Sequence, residues 1–206
     1  MKIGVLGTGM VGHAIASRLA ELGHRVMMGS REAANPKALE WAKHAGAQAR
    51  VGTFAATAEH SEMIFNCTHG AHSLSALSEA GAEALRGKIL VDVANILPPA
   101  VSGSKSLGEQ IQKQYPAVKV VKALNTLNCA LMVKPDTLPG PHTLFMSGND
   151  ADAKRQVREL LGPFGWADII DLGDITTAAA TENYLSLWAA LWKALGTLEF
   201  NIKVVR

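Results

Sequence analysis

The glycine-rich stretch near the N-terminus constrains the fold more than any other part of the sequence. Gly7, Gly9 and Gly12 in "VLGTGMVGHA" have the spacing G-x-G-x-x-G, directly after an apolar run and at the start of a stretch with helical periodicity. In a dinucleotide-binding unit these glycines permit a tight turn, a close approach to the pyrophosphate, and close packing of helix on strand. The phosphates then meet free amides and the positive end of the helix dipole. The predicted cofactor-binding residues here are Gly7, Thr8, Gly9, Met10, Val11 and Gly12.

Short apolar runs alternate with helical stretches along the whole chain. Strands are predicted at residues 2–6, 25–28, 48–51, 62–68, 88–95, 118–124, 142–147 and 167–171. Helices are predicted at residues 10–22, 36–44, 53–60, 73–85, 107–115, 150–161 and about 176–203, with the loop "ILPPAVSGSKS" at residues 96–106. Apolar strands separated by helices are typical of a parallel sheet that is covered on both faces. We expect an α/β fold, in which residues 1–206 form a single NAD(P)-binding Rossmann domain, doubly wound around a mainly parallel sheet, with a long C-terminal helix.

The end of the second predicted strand bears on the form of the cofactor. NAD-binding proteins of this fold carry an acidic residue about 20 residues beyond the glycines, where it binds the ribose hydroxyls. In this chain that place holds Ser30, followed by Arg31. A hydroxyl can donate to a 2′-phosphate and a guanidinium can bind it with two parallel hydrogen bonds, whereas a carboxylate would repel it. The segment predicts NADP(H), with Lys37 near enough in sequence to add charge. Glu32 could serve the ribose instead, although a solvated loop position is the simpler interpretation.

Three further segments follow predicted strands. Ligands of an open parallel sheet lie across the carboxyl ends of its strands, where the strand order reverses. This rule places residues 67–72 ("CTHGAH"), 94–98 ("ANILP") and 124–128 ("LNTLN") near the nicotinamide. From these segments we assign Cys67 and Asn95 to the cofactor side and His72 to the substrate side.

The histidines and one lysine of these segments raise further hypotheses. Cys67, His69 and His72 are ligand-type residues within six positions, but hydride transfer needs no metal and no second cluster completes a tetrahedral set, so no metal is predicted. His69 is a candidate general acid, beside the simpler interpretation of a structural or solvated histidine, and no catalytic residue is assigned. Lys122 could contact substrate, but a strand-end lysine that extends to solvent is the simpler interpretation.

Composition narrows the class of partner. A formal net charge of +2 does not favour nucleic acid or an anionic membrane as the main partner. The apolar stretch at residues 184–192 is too short to span a bilayer. Two cysteines do not make a disulfide framework, and the N-terminus runs directly into a strand, which leaves no room for a signal peptide. We expect a cytoplasmic protein with a small-molecule partner, no nucleic acid and no membrane.

The last predicted helix favours self-association. Its apolar positions 184, 188, 191, 195, 198 and 202 form one stripe, and Leu185, Trp192 and Phe200 fall partly outside that stripe. A helix that packs on one side against its own sheet needs only a single stripe, so the broader apolar surface favours a second partner. We expect a homodimer in which this helix packs against the neighbouring subunit and helps to close the pocket for the second substrate; the alternative is a helix buried within its own domain.

The motifs together resemble a known family. The stretch "KIGVLGTGMVGHAIASRLAELGHRVMMGSRE" is similar to the opening of the NADP oxidoreductases that depend on the deazaflavin coenzyme F420, in which a Ser-Arg pair after the second strand binds the 2′-phosphate. The similarity extends through "NCTHGAH" and "VVKALNTLN" to "ENYLSLWAALWKALGTLEFNIKVVR". It implies reversible hydride transfer between NADPH and a deazaflavin or flavin-type acceptor, in which catalysis rests on proximity and ring orientation. It also implies that the pocket is lined by Thr68, His69, Ala94, Asn125 and Thr126.

Two alternatives remain open at the level of the sequence. A non-catalytic NADPH-binding redox sensor is compatible with a dinucleotide site that has no obvious catalytic residue. A reductase of a small imine or keto substrate would share the glycine motif, but the related imine and hydroxyacid enzymes carry a large helical domain after the sheet, and only about 30 residues of final helix are predicted here.

Overall fold

A computed structural model of the chain describes residues 1–96 and 105–206. Parts of the predicted loop 96–106 and of the segment 94–98 lie outside the described residues. The strands are β1 Lys2–Leu6, β2 Arg25–Ser30, β3 Ala49–Thr53, β4 Met63–Asn66, β5 Ile89–Asp92, β6 Lys119–Ala123, β7 Leu144–Gly148 and β8 Ile169–Asp171. The helices are α1 Met10–Glu21, α2 Pro36–His44, α3 Phe54–His60, α4 Gly70–Ala80, α5 Ala82–Leu85, α6 Leu107–Gln114, α7 Cys129–Val133, α8 Ala151–Leu161 and α9 Ala178–Leu195.

All eight of these strands belong to one sheet, in the order β3-β2-β1-β4-β5-β6-β7-β8. Strands β1 to β6 pair in parallel, β7 is antiparallel to β6, and β8 is parallel to β7. The strand order reverses between β1 and β4, so a crevice forms at the carboxyl ends of these two strands. The topology confirms the predicted Rossmann-type, mainly parallel sheet.

The apolar core lies on both faces of the sheet. Ile3 and Val5 of β1 pack into one buried cluster with α1, while Leu6 of the same strand belongs to a second cluster on the other face. Successive residues of a strand point to opposite faces, so a strand without polar interruptions fills both clusters at once. This is why the sequence shows continuous apolar runs and no alternation.

The bounds of two predicted helices differ from the structure, and a glycine with a positive φ marks the break in one and the end of the other. The predicted helix 73–85 begins at Gly70 and divides at Gly81, whose φ is +89°. The predicted helix 176–203 ends at Leu195, because Gly196 has a φ of +68°. A left-handed glycine commonly ends a helix. Within the described residues, no helix is long and apolar enough to cross a bilayer.

The chain after α9 returns to the sheet as a tail, residues 196–206. The Thr143 amide donates to the Ile202 carbonyl at 2.9 Å, and the Val204 amide donates to the Thr143 hydroxyl at 3.1 Å. Lys203 forms an ion pair of 2.6 Å with Asp168. These contacts attach the chain end beside β7 and β8, so α9 is connected to the sheet at both of its ends.

Candidate functional site

Each glycine of the turn between β1 and α1 is needed for a different reason. Gly7 has a φ of +115°, and a Cβ there would lie 2.6 Å from the Cys67 carbonyl oxygen. A Cβ at Gly12 would collide with the Gly7 carbonyl oxygen, so this glycine lets α1 pack onto the turn. A Cβ at Gly9 would meet no protein atom within 4 Å. Gly9 therefore leaves open space above the turn, which is the space that a pyrophosphate needs.

The N-terminus of α1 is prepared for an anion. Gly9 is the N-cap, no side chain caps the helix, and its first turn carries no acidic residue. The first amides of a helix lack intrahelical partners, and the helix dipole places partial positive charge there. The turn and the helix thus fit a diphosphate without any change in the chain.

A cleft of about 600 Å³ extends from the glycine turn to the end of β2. Ser30 and Arg31 line it, and Arg31 is exposed and forms no ion pair with any described residue. The Ser30 side chain is buried, and its hydroxyl donates to the Glu32 carbonyl at 2.6 Å. Ser30 therefore shapes the turn that presents Arg31, and its oxygen retains lone pairs rather than a free proton. The free cation at this end of the cleft is the guanidinium of Arg31.

Two residues of the predicted site lie elsewhere than their assignment suggests. Lys37 lines an adjoining cleft together with Gly9 and Met10, and it is absent from the lining of the Ser30–Arg31 cleft. His72 lines the Ser30–Arg31 cleft rather than the cleft that contains Asn125 and Thr126. Because α4 begins at Gly70, His72 falls in its first turn.

A second cleft of about 370 Å³ continues from the first and shares Gly9, Cys67, Thr68 and His69 with it. Ala94, Asn95, Asn125 and Thr126 line this cleft, together with Met10 and Val11 of α1. Helix α9 supplies a further wall, formed by Tyr184, Leu185 and Trp188, which were not among the predicted site residues. The two clefts therefore form one crevice across the carboxyl ends of the strands.

Hydrogen bonds fix Thr68 at the junction of the two clefts. The Thr68 hydroxyl donates to the Asn66 side chain at 2.7 Å and contacts the Ser73 hydroxyl at 2.8 Å. Asn66 in turn donates to Asp92 at 2.8 Å and to Ser73 at 3.0 Å. Asn66, Ser73 and Asp92 are buried, so Thr68 is held by a polar network that is closed to solvent.

His69 and Cys67 have local structural roles. The Nδ1 atom of His69 accepts from the Ala71 amide at 3.3 Å, which makes His69 the N-cap of α4. Burial raises the pKa of the Cys67 thiol, and the Asp92 carboxylate adds to this shift, so the thiol is protonated at neutral pH. The described residues contain no group of three or more metal-ligand side chains.

The turns after β5 and β6 are joined by a pair of asparagines. Asn95 donates to the Asn125 backbone carbonyl at 2.7 Å, and the Asn125 side chain donates to the Asn95 side-chain oxygen at 3.0 Å. Leu124, directly before Asn125, has a φ of +65°, which is unusual for a residue with a branched side chain. Gly70 is needed at the same place, because a Cβ there would collide with the Asn95 carbonyl oxygen.

The interpretation of Lys122 as a lysine that extends to solvent was wrong. Its side chain is fully buried, and its ammonium group forms ion pairs of 2.8 Å with Asp92 and 2.9 Å with Glu182. The error arose because the partner Glu182 lies on α9, 60 positions away along the chain, and no local pattern connects the two. The available signal was the polar residue near the end of each apolar strand: Asn66, Asp92 and Lys122.

Comparison with known proteins agrees with this geometry. The sequence profile of the family described as NADP oxidoreductase, coenzyme F420-dependent, matches residues 2–96. The crystal structure of a candidate F420-dependent NADP-reductase from Arthrobacter sp. FB24 has a TM-score of 0.93 to this chain, with 48% sequence identity over 100% of both chains. The chain belongs to this family of NADP oxidoreductases. The resemblance found in the sequence motifs is thereby confirmed.

Two curated relatives carry different second substrates in their names. The F420-dependent NADP reductase of Methanothermobacter marburgensis is 27% identical over 91% of this chain and 90% of its own length. The metalloreductase STEAP3 of Rattus norvegicus is 33% identical over 98% of this chain. The chain spans 40% of the length of that metalloreductase. Membership in the family therefore identifies the dinucleotide and leaves the second substrate open.

Proposed function

We propose that the chain transfers a hydride between NADPH and a deazaflavin or flavin-type acceptor. The observation that carries this proposal is the continuous crevice, in which a glycine turn suited to a diphosphate lies between an arginine-containing cleft and a second cleft lined by Met10, Tyr184 and Trp188. A nicotinamide bound here would supply or accept a hydride, which carries two electrons and one proton; reduction of the acceptor takes up one further proton from solvent.

The residues of the first cleft would bind and orient the dinucleotide. The Gly9 turn and the first amides of α1 fit the diphosphate, and the exposed guanidinium of Arg31 fits the 2′-phosphate. Thr68, fixed by Asn66, and Asn95, fixed by Asn125, would lie beside the nicotinamide. Preorganised groups of this kind accelerate transfer between two rings because they hold the rings in a reactive orientation.

The second cleft would admit the acceptor and exclude water. Its lining is mostly apolar and includes the aromatic rings of Tyr184 and Trp188 beside Val11. Planar rings stack well on such surfaces. An apolar cleft that meets the cofactor at Gly9 and Thr68 is suited to a planar acceptor stacked on the nicotinamide. This arrangement assigns no general acid, because the second proton comes from solvent; the Nδ1 of His69 serves as a helix cap.

The test is NADPH oxidation, measured by absorbance, with F420, FMN and a quinone as separate acceptors. We expect turnover with F420 or FMN. NADPH binding in calorimetry without turnover of any acceptor would contradict the proposal and favour a redox sensor. Turnover of a small cyclic imine in place of the flavins would favour the imine or keto alternative.

Gly9→Val is the control for the position of the cofactor. The Gly9 backbone is extended, with a φ of −79° and a ψ of −176°, and a Cβ there meets no protein atom, so the variant should fold. The valine would occupy the space of the diphosphate, and we expect dinucleotide binding and turnover to be lost together. Native affinity in a folded Gly9→Val protein would show that the cofactor lies elsewhere.

A further inference from the structure

A buried ionic cluster lies directly behind the candidate acceptor cleft. The Lys122 ammonium group on β6 donates to the Asp92 carboxylate at 2.8 Å and to the Ala94 backbone carbonyl at 2.5 Å. It also lies 2.9 Å from the Glu182 carboxylate on α9. The ammonium group thus has two hydrogen-bond acceptors and a second carboxylate within ion-pair distance. One side chain thus links β6, the end of β5, the turn that lines the cleft, and the last helix.

Glu182 is bound from a second direction as well. Its two carboxylate oxygens accept from the backbone amides of Leu107 and Gly108 at 2.8 and 3.1 Å. These amides are the first of α6, where a carboxylate is favoured by the helix dipole. Two hydrogen bonds and one ion pair fix the position of Glu182, although α9 contributes few other buried groups: Ala178 and Thr181 are its buried residues.

Buried ion pairs are a weak source of stability, because desolvation of the charges offsets most of their attraction. The presence of this cluster therefore needs an explanation other than stability, and the placement of α9 provides one. Tyr184 lies two residues and Trp188 six residues after Glu182 on the same helix. About 9 Å of helix therefore separates Glu182 from Trp188, the farther of the two rings. Fixing Glu182 fixes both rings.

We propose that the Glu182–Lys122 pair positions α9 as the wall of the acceptor cleft. Lys122 holds the Ala94 carbonyl on the cofactor side and Glu182 on the α9 side, so it sets the separation of the two walls between which the rings must stack. Glu182 and Lys122 are positioning residues, since neither lines the crevice. The kinetic part of this inference rests on the proposed function; the structural part does not.

The first experiment is hydrogen–deuterium exchange of the whole protein, wild type against Glu182→Gln. Glutamine keeps the shape of the side chain and one oxygen acceptor, but it removes the negative charge that faces Lys122. Lys122 keeps its hydrogen bonds to the Asp92 carboxylate and the Ala94 carbonyl. We expect peptides within residues 183–195 to exchange about tenfold faster in the variant, the loss typical of a charged hydrogen bond, while α1 peptides stay unchanged. Unchanged exchange in α9 would overturn the tether, whatever the protein reduces.

The matched control is Ser106→Ala, which disturbs the same start of α6 without touching Lys122. Ser106 and Glu109 form a capping box, and the Ser106 hydroxyl accepts from the Glu109 amide at 3.1 Å. This variant should loosen α6 and leave the exchange of residues 183–195 unchanged. Equal acceleration of α9 exchange in both variants would mean that general loosening near α6, and not the ion pair, explains the effect.

The second experiment separates positioning from folding by steady-state kinetics with the acceptor that the wild type turns over. We expect Glu182→Gln to raise the KM for the acceptor about tenfold. The Kd for NADPH, measured by calorimetry, should stay within about twofold, because no residue of α9 lines the cleft assigned to the 2′-phosphate and diphosphate. An equal rise in the acceptor KM and in the Kd for NADPH, or an unchanged acceptor KM, would overturn the proposal. Absence of turnover in the wild type would count against the proposed function, while the exchange result alone decides the tether.

Discussion

Arg31 is the residue whose replacement should separate NADPH from NADH. Its guanidinium is exposed in the cleft beside the glycine turn, without an ion pair among the described residues. Arg31→Ala should weaken NADPH binding by about 1.5–3 kcal/mol, the range of a hydrogen bond to a charged group. NADH lacks the 2′-phosphate, so its affinity should not change. Calorimetry with both dinucleotides makes the measurement.

Arg155→Ala is the matched control for this loss of charge. Arg155 is an exposed arginine of α8, which pairs with Asp152 and Glu159 and lines no part of the crevice. It should leave the affinity for both dinucleotides unchanged. Equal losses for NADPH and NADH in Arg31→Ala would mean that Arg31 acts through the structure of the turn.

At the scale of single residues, the roles of the glycines could be predicted from the sequence, whereas the polar network around Thr68 could not. The reasons for Gly7, Gly9 and Gly12 are local, because strand, turn and helix are consecutive in sequence. The donor role predicted for Ser30 depended on where its proton points, and in the structure the hydroxyl donates to the Glu32 carbonyl. Partners such as Asn66 and Asp92, which lie 26 positions apart and meet at 2.8 Å, depend on strand order, which no local pattern encodes.

At the scale of the elements, the attachment of the C-terminal tail to the sheet depends on one carboxylate, that of Asp168. Asp168 accepts from Lys203 at 2.6 Å and from Thr143 at 2.7 Å, and it pairs with Arg206 at 3.1 Å. Its hydrogen bond with Lys203, followed by that with Thr143, lowers the pKa of Asp168 from 3.8 to about 2. The ionised form is the one that the folded protein stabilises. Asp168 therefore contributes stability above its ordinary pKa, and this contribution is lost as the pH falls from 3.8 to about 2.

Asp168→Asn tests this attachment. The variant should have a lower Tm than the wild type at neutral pH, and the difference should shrink below pH 3.8 and vanish near pH 2. Calorimetric melting of both proteins across this range is the measurement. Asp152→Asn is the control, because its carboxylate is 74% exposed in a surface pair of α8 and should contribute little at any pH. A Tm difference that stays constant down to pH 2 would contradict the role of the ionised carboxylate.

The order and type of the main elements followed from periodicity, whereas their ends did not. Apolar runs of four to eight residues separated by helical stretches predicted β1 to β8 in the right sequence, because burial of both faces demands such runs. The last helix stops at Leu195 rather than near 203, since Gly196 adopts a left-handed conformation that sequence periodicity alone does not reveal. The return of the tail to the sheet depends on the side chains of Asp168 and Thr143, far from it in sequence.

For the whole molecule, α9 carries both cleft-lining and exposed apolar side chains. Tyr184, Leu185 and Trp188 line the candidate acceptor cleft, and Phe200 of the tail stacks on Trp188 with ring centroids 5.7 Å apart. On the same helix, Leu187, Trp192 and Leu195 are 54%, 48% and 56% exposed. A helix buried within its own domain would not leave three large apolar side chains in water. We propose that a second copy of the chain packs on this face, so that each subunit supports the cleft wall of the other.

Light scattering at micromolar concentration tests the dimer. We expect a mass of twice the 21.8 kDa of the chain, because two-fold dimers are the commonest assembly of such proteins and a terminal helix is easily shared. Leu187→Glu should give a monomer, since a carboxylate in a paired apolar face is left without a partner. Leu39→Glu is the matched control: Leu39 is 41% exposed on α2, outside the proposed interface, so the variant should remain dimeric. A monomeric wild type with α9 protected in hydrogen exchange would refute the dimer. In a dimer, Leu187→Glu should also raise the acceptor KM more than it weakens NADPH binding, because Leu187 lies within one turn of both Tyr184 and Trp188 on the same helix.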